Sequence, residues 1–333
     1  MKIKGKHVLL IIGFIFIITL IYAIGSSFYY SNLNFKPFFE SENIKETNEV
    51  QNITYSLTND NRILFAEKKD GKLFVNKIKN DNVDPVTVTS IDLKSDEYYD
   101  FYCKGKYAYL FYNNNLKIID YDYYKFTDIS FLPKGLIIVN QYNDVLYSYN
   151  DNTLYKLQIN EKSLTLSTNY VIPNEIKNVK NVDFLTENEI VISTYNSEIF
   201  TYSLLDNKII KITDIHSLFT IDNETLYYTY SYDSSNIAIS YYNKNTHKTF
   251  KVKSCDYLTM QVKDDYMYLI NKDEIYKVSI EREKRHETLQ ISSYDNITFN
   301  LSTILIENEK LMYLPMIKKE NNNYTYLLYR YKR

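Results

Sequence analysis

Three places in this chain of 333 residues set carboxylates directly beside tyrosines, each just ahead of an apolar stretch: Asp96-Glu97-Tyr98-Tyr99, Asp256-Tyr257 and Tyr294-Asp295. A carboxylate orients hydroxyl or amide donors, and a rigid ring stacks on a sugar or a peptide, so such pairs suit ligand recognition. The same acids suit cleavage of a glycan if two carboxyl groups stand about 5 to 10 Å apart around one sugar. Nothing in their spacing along the chain brings two of them together; only a fold that gathers distant segments at one place would. With 36 tyrosines in the chain, a Tyr beside an Asp also arises at strand ends without any function, ring half-buried and hydroxyl wet.

Other chemistries find little support. The four histidines, His7, His216, His247 and His286, show no H-x-H or H-E-x-x-H spacing, so no zinc site is expected. Cys103 and Cys255 fall in distant units and are expected as free, buried thiols, because a disulfide needs Cα atoms within about 7 Å. There is no G-x-S-x-G elbow, no glycine-rich phosphate loop and no calcium loop. Residues 80–84 and 120–122 carry clustered acids and amides but lack the glycine and closing glutamate of a calcium loop, and read as solvated turns. The expectation is no cofactor, no metal and no assigned catalytic residue. With 39 Lys and Arg scattered among 41 Asp and Glu, for a net charge of -2, the surface offers nucleic acid no concentrated basic stripe, and none is expected as partner.

The elements that must position these residues are strands. Residues 143–167, NDVLYSYNDNTLYKLQINEKSLTLS, alternate apolar and polar side chains over short runs separated by Asn and Asp, which is strand periodicity with Asx turns. The apolar residue that opens the second strand of this unit recurs at Ile63, Ala108, Leu146, Ile190, Leu226, Met267 and Leu311, on average about 41 residues apart, the spacing of four-stranded propeller blades. Seven units result. A β-sandwich also sets strands every 8 to 12 residues, but it does not repeat in groups of four. Only six glycines serve all these turns; asparagines such as Asn113 and Asn114 are expected in the left-handed conformation instead. The fold class expected is all-β: a seven-bladed β-propeller of four-stranded antiparallel blades over residues 40–333, preceded by an N-terminal transmembrane helix.

That leader is the uncharged run VLLIIGFIFIITLIYAIG, residues 8–25, behind a basic tail at residues 1–7 with Lys2, Lys4 and Lys6. As a helix it spans roughly 27 Å, close to the hydrocarbon core of a bilayer, and the lysines place its start inside. The reading is a single-pass signal-anchor with the propeller outside the cytoplasm; the alternative is secretion after cleavage near Gly25, where small residues stand at the right spacing. Residues 26–39 read as a stalk. The seventh unit lacks a fourth strand at the C-terminus, so residues 43–47 are expected to supply it and close the ring.

The stretches LYSYNDNTLYKLQIN, LYYTYSYD at residues 226–233 and MYLINKDEIYKV at residues 267–278 resemble blades of YWTD-type and related bacterial extracytoplasmic propellers. The chain departs from them in having no Trp and in keeping an Asp-Gly turn clearly only at Asp70-Gly71. The resemblance implies architecture and a lean towards interaction. The Lys, Ile, Asn and Tyr richness is likewise similar to low-GC bacterial proteomes. The function expected is a membrane-anchored module binding a protein or glycan at the channel mouth, through Asp96, Glu97, Tyr98, Tyr99, Asp256, Tyr257, Tyr294 and Asp295. The alternative is an extracytoplasmic carbohydrate-active enzyme, glycosidase- or lyase-like, that uses the carboxylates of that set.

Overall fold

The computed structural model describes residues 30–33, 36–40, 44–45, 53–58, 60–79, 82–94, 97–130, 132–160, 163–231, 236–243, 246–253, 259–271, 274–281, 286–291, 297–299, 305–308, 311–320 and 323–332. They form seven antiparallel sheets arranged as the blades of a propeller. Blade 1 consists of Ile53–Leu57, Ile63–Lys69, Lys72–Lys79 and Asn82–Asp92. Blade 2 follows with Tyr99–Lys104, Tyr107–Tyr112, Asn115–Asp120 and Lys125–Ile129, and blade 3 with Leu136–Asn140, Val145–Asn150, Thr153–Asn160 and Ser163–Val171. Blades 4 to 7 occupy residues 179–213, 219–253, 259–291 and 297–332. In each sheet the blade strands pair in chain order, and the first strands of neighbouring blades lie side by side around the axis, except those of blades 2 and 3, with the first strand of blade 7 against that of blade 1.

Alternation explains the packing. Each strand shows one row of side chains to the preceding blade and the other to the next, so a cluster fills each seam. Leu64, Leu73, Phe101 and Leu110 sit between blades 1 and 2, and Tyr109, Leu116, Leu146 and Leu157 between blades 2 and 3. Tyr147, Leu154, Phe184 and Ile190 fill the next seam, and Phe65, Ile63, Leu305 and Tyr313 join blade 7 to blade 1. A fully buried Leu or Ile stabilises by about 1.5–3 kcal/mol, so the ring is held by its seams. The non-periodic segment 170–181 also contributes: Ile172 and Ile176 are buried in the seam of blades 3 and 4.

Asparagine and aspartate take the turns that glycine usually takes. Both central residues have positive φ at Asn113-Asn114 (46° and 58°), Asp151-Asn152 (47° and 59°) and Asp264-Asp265 (49° and 60°), as tight hairpin turns of the primed type require.

The N-terminal residues close the ring, more extensively than a single strand would. Lys36–Glu40 pairs antiparallel with residues 327–330 as the outer strand of blade 7, and Ile44–Lys45 continues along Asn323 and Tyr324. Tyr30–Leu33 adds a parallel fifth strand to blade 6. Residues 30–33 and 36–40 therefore are paired strands, where residues 26–39 were expected as a stalk; Pro37 is tolerated because an edge strand loses only a donor to it. The first strand of blade 7 is split into Ile297–Phe299 and Leu305–Asn308, both on the same partner strand. Residues 8–25 lie outside the described residues; among the described ones no helix is long and apolar enough to cross a membrane.

Candidate functional site

The chain enters the innermost strand of every blade from the same side, here the upper face; the first turn of each blade lies on the lower face. On the upper face an open cleft of about 910 Å³ separates blades 2 and 3. One wall is blade 2, with Tyr98, Asp100, Tyr102, Phe111 and Tyr112; the other is the connection into blade 3, residues 132–137, and the turn at residues 113–115 stands between them.

Local sequence builds each wall. Along Tyr99–Lys104 the even-numbered side chains face blade 3 while Tyr99 and Phe101 join the core of the seam with blade 1. Tyr102 stacks on Phe111, centroids 5.7 Å apart and planes 23° from parallel. The opposite wall is pinned by Leu132 N–H donating to Asn114 O at 2.9 Å and by Ser148 Oγ–H donating to Lys134 O at 3.2 Å. Gly135 has φ +115°, and a Cβ there would run into Tyr149 O, so no other residue fits.

Asp100 is accessible along the cleft, yet the walls strip it of part of its water. That desolvation raises its carboxyl above the usual value, against a backbone hydrogen bond from Phe101. Among the described residues it has no ion-pair partner. Tyr102 is shifted upward by burial first and by the charge of Asp100 second, and Tyr112 by burial. Both stay neutral phenols at physiological pH.

Of the residues expected at the channel mouth, Tyr98 stands on the cleft, 73% exposed. Its neighbour Tyr99 does not: it is 3% exposed, and its hydroxyl donates to Ala66 O at 3.2 Å inside the seam with blade 1. Alternation sends adjacent residues to opposite faces. Glu97 is engaged by its own loop, accepting from Lys94 N–H at 2.7 Å; that bond, with one to Asn113, holds its carboxyl below the usual range, which does not suit a general acid. Asp96, Asp256, Tyr257, Tyr294 and Asp295 lie outside the described residues. Asp100, Tyr102, Phe111 and Tyr112 were missed, although counting in twos from Tyr98 reaches the first two.

The lower face is wired differently. Lys104, at the far end of the same strand, forms an ion pair with Asp183 on the first strand of blade 4, reaching past blade 3. Asn140 Nδ2–H donates to Glu187 O at 3.0 Å and Tyr142 O–H to Leu185 O at 2.6 Å. Asp122 pairs with Arg62 at 2.6 Å, and Asp120 Oδ1 accepts from Asp122 N–H and Tyr123 N–H, so residues 120–122 are committed to structure. Cys103 is free and half-buried, its thiol pushed up to about 12 mainly by burial, which keeps it protonated and inert; Cys255 lies outside the described residues. His216 Nδ1 lies 2.7 Å from Ser197 O and His247 Nε2 2.9 Å from Tyr228 Oη. Among the described residues no group of acids, histidines and cysteines gathers as for a metal ion.

No protein-family model matches the chain, and no curated protein matches it. Solved structures do resemble it. Oligogalacturonate lyase from Vibrio parahaemolyticus is 12% identical, over 89% of this chain and 97% of that one, with a TM-score of 0.59. The C-terminal WD40 domain of Sif2 is 11% identical over 86% and 82% of the two chains, with a TM-score of 0.52. The AfRom2 CNH domain is 13% identical over 90% and 97%, with a TM-score of 0.51. At such identities the likeness shows the fold alone: this chain is a β-propeller, and what it binds must be read from its own side chains.

Proposed function

We propose that the chain is a membrane-tethered, outward-facing binding module that seats a protein or glycan ligand in the upper-face cleft between blades 2 and 3. One observation carries this reading: the described lining offers several aromatic rings and one carboxylate, Asp100. Glycan hydrolysis calls for two facing acids, and the nearby Glu97 is tied to its loop. Rigid rings around one orienting polar group are the composition of a recognition site. The tether rests on the uncharged run of residues 8–25 behind Lys2, Lys4 and Lys6.

The test is affinity purification of the tagged full chain from solubilised membranes, comparing wild type with a Tyr98→Ala/Leu136→Ala double variant. Both side chains are exposed, so the variant folds normally. Wild type retains a stoichiometric ligand and the variant loses it; retention of the same ligand by both would sink the reading. Cleavage of oligosaccharide by the purified chain would favour the enzymatic alternative.

A further inference from the structure

The cleft has the chemistry of a cation site. Asp100 is the one carboxylate among its described lining residues, and no lysine or arginine among the described residues pairs with it, whereas lower-face acids such as Asp122 and Asp183 each hold a cation. Around it stand Tyr98, Tyr102, Phe111 and Tyr112, and a ring face attracts a cation within about 6 Å of its centroid. The chain seats its own cations this way elsewhere: Arg62 lies 5.4 Å from the Tyr121 ring centroid, Lys106 5.0 Å from Tyr107 and Lys277 3.9 Å from Tyr266. A sugar would need several fixed hydrogen-bonding groups along its edges. Here the amide of Asn115 already donates to Asn113 O at 3.1 Å and the Asn113 side chain bonds the Glu97 carboxylate, which leaves the Asn114 amide and the tyrosine hydroxyls to face a sugar from the blade 2 side.

We infer that the cleft captures the ammonium or guanidinium end of a lysine or arginine side chain on a protein partner, the cation paired with Asp100 and flanked by the tyrosine rings. This rests on the binding reading above and narrows it. Lys134, exposed on the connection opposite, is the like charge such a guest must approach, so its removal strengthens capture.

The experiment is a calorimetric titration of the full chain in detergent with acetyl-Gly-Lys-Gly-amide, acetyl-Gly-Arg-Gly-amide, the norleucine analogue and chitotriose. A basic peptide saturates, and norleucine binds at least about tenfold more weakly, the loss expected when a desolvated charge contact is removed. Asp100→Asn weakens the basic peptide by about tenfold or more; Tyr98→Ala, at an exposed position, weakens it by a smaller factor and guards against a folding artefact; Lys134→Gln tightens it. Equal binding of norleucine, or unchanged binding by both Asp100→Asn and Tyr98→Ala, overturns the inference. If chitotriose saturates in an Asp100-dependent way and the basic peptides do not bind, the cation inference falls while recognition at the cleft stands. If no probe binds and the Tyr98→Ala/Leu136→Ala variant keeps its membrane ligand, both fall.

Discussion

The two ends of the strand Tyr99–Lys104 treat charge in opposite ways. At its lower end Lys104 finds Asp183 two blades away, and neighbouring side chains of blade 3 donate to carbonyls of blade 4, so that blades 2, 3 and 4 are stitched together. At its upper end Asp100 faces a cleft with no counter-ion among the described residues, its carboxyl raised by lost hydration. Both ends lie on the same inner strand and within the same fold. The difference teaches that a polar residue on this ring is structural when the ring itself supplies its partner. On the proposed reading Asp100, to which the described residues of the ring supply no counter-ion, is left for a group outside the chain, because a partly desolvated charge without a partner costs free energy.

Three substitutions break or sharpen this contrast. The largest effect is expected at Gly135, whose φ of +115° and contact with Tyr149 O leave no room for a Cβ. Gly135→Ala should destabilise the ring by about 2–4 kcal/mol in denaturant unfolding and distort the cleft wall; a normal unfolding midpoint would show that this wall is not built as described. Next comes Lys104→Met, which leaves Asp183, 33% exposed, without its cation. A loss of about 1–2 kcal/mol is expected with ligand binding intact, and loss of binding instead would erase the distinction between the two ends.

The smallest effect on stability, with opposite sign, belongs to Asp100→Asn. Because the folded carboxyl is raised above its ordinary value of 3.8, the folded state binds the proton more tightly than the unfolded chain. Wild type therefore loses stability as pH rises through the window between those values and stays penalised above it. Asn removes that penalty, so the variant should be more stable than wild type at pH 7, by no more than about 0.5 kcal/mol for so accessible a group. The gain should vanish below about pH 4 in paired unfolding curves. A destabilised Asp100→Asn would mean that the carboxylate serves the fold.

Much of the architecture was legible because it is written in periodicity. The recurrence from Ile63 to Leu311 reports the blades, and the asparagines at Asn113, Asn114 and Asn152 report turns that need positive φ. Partnerships across the ring were not legible. That Lys104 meets Asp183, or that residues 30–33 run parallel along blade 6, depends on how far one blade is rotated from another, which no local pattern encodes. The site was half visible for the same reason. Acid beside aromatic led to the connection at Tyr98, which lines the cleft, but the period of two sends Tyr99 into the seam and Asp100 and Tyr102 to the cleft. The opposite wall comes from a different blade. Its one sequence signal is Gly135, a rare glycine in a chain that makes most of its turns with asparagine.

The central claim, that the upper-face cleft is where the chain meets its ligand, is tested most directly by photo-crosslinking in intact cells. A benzophenone amino acid replaces either Leu136 on the cleft or Leu205, which is 71% exposed in the turn between the third and fourth strands of blade 4 on the lower face. The account predicts a discrete crosslinked partner from position 136 that Asp100→Asn abolishes, and none from position 205. A partner captured from 205 and not from 136 would contradict it.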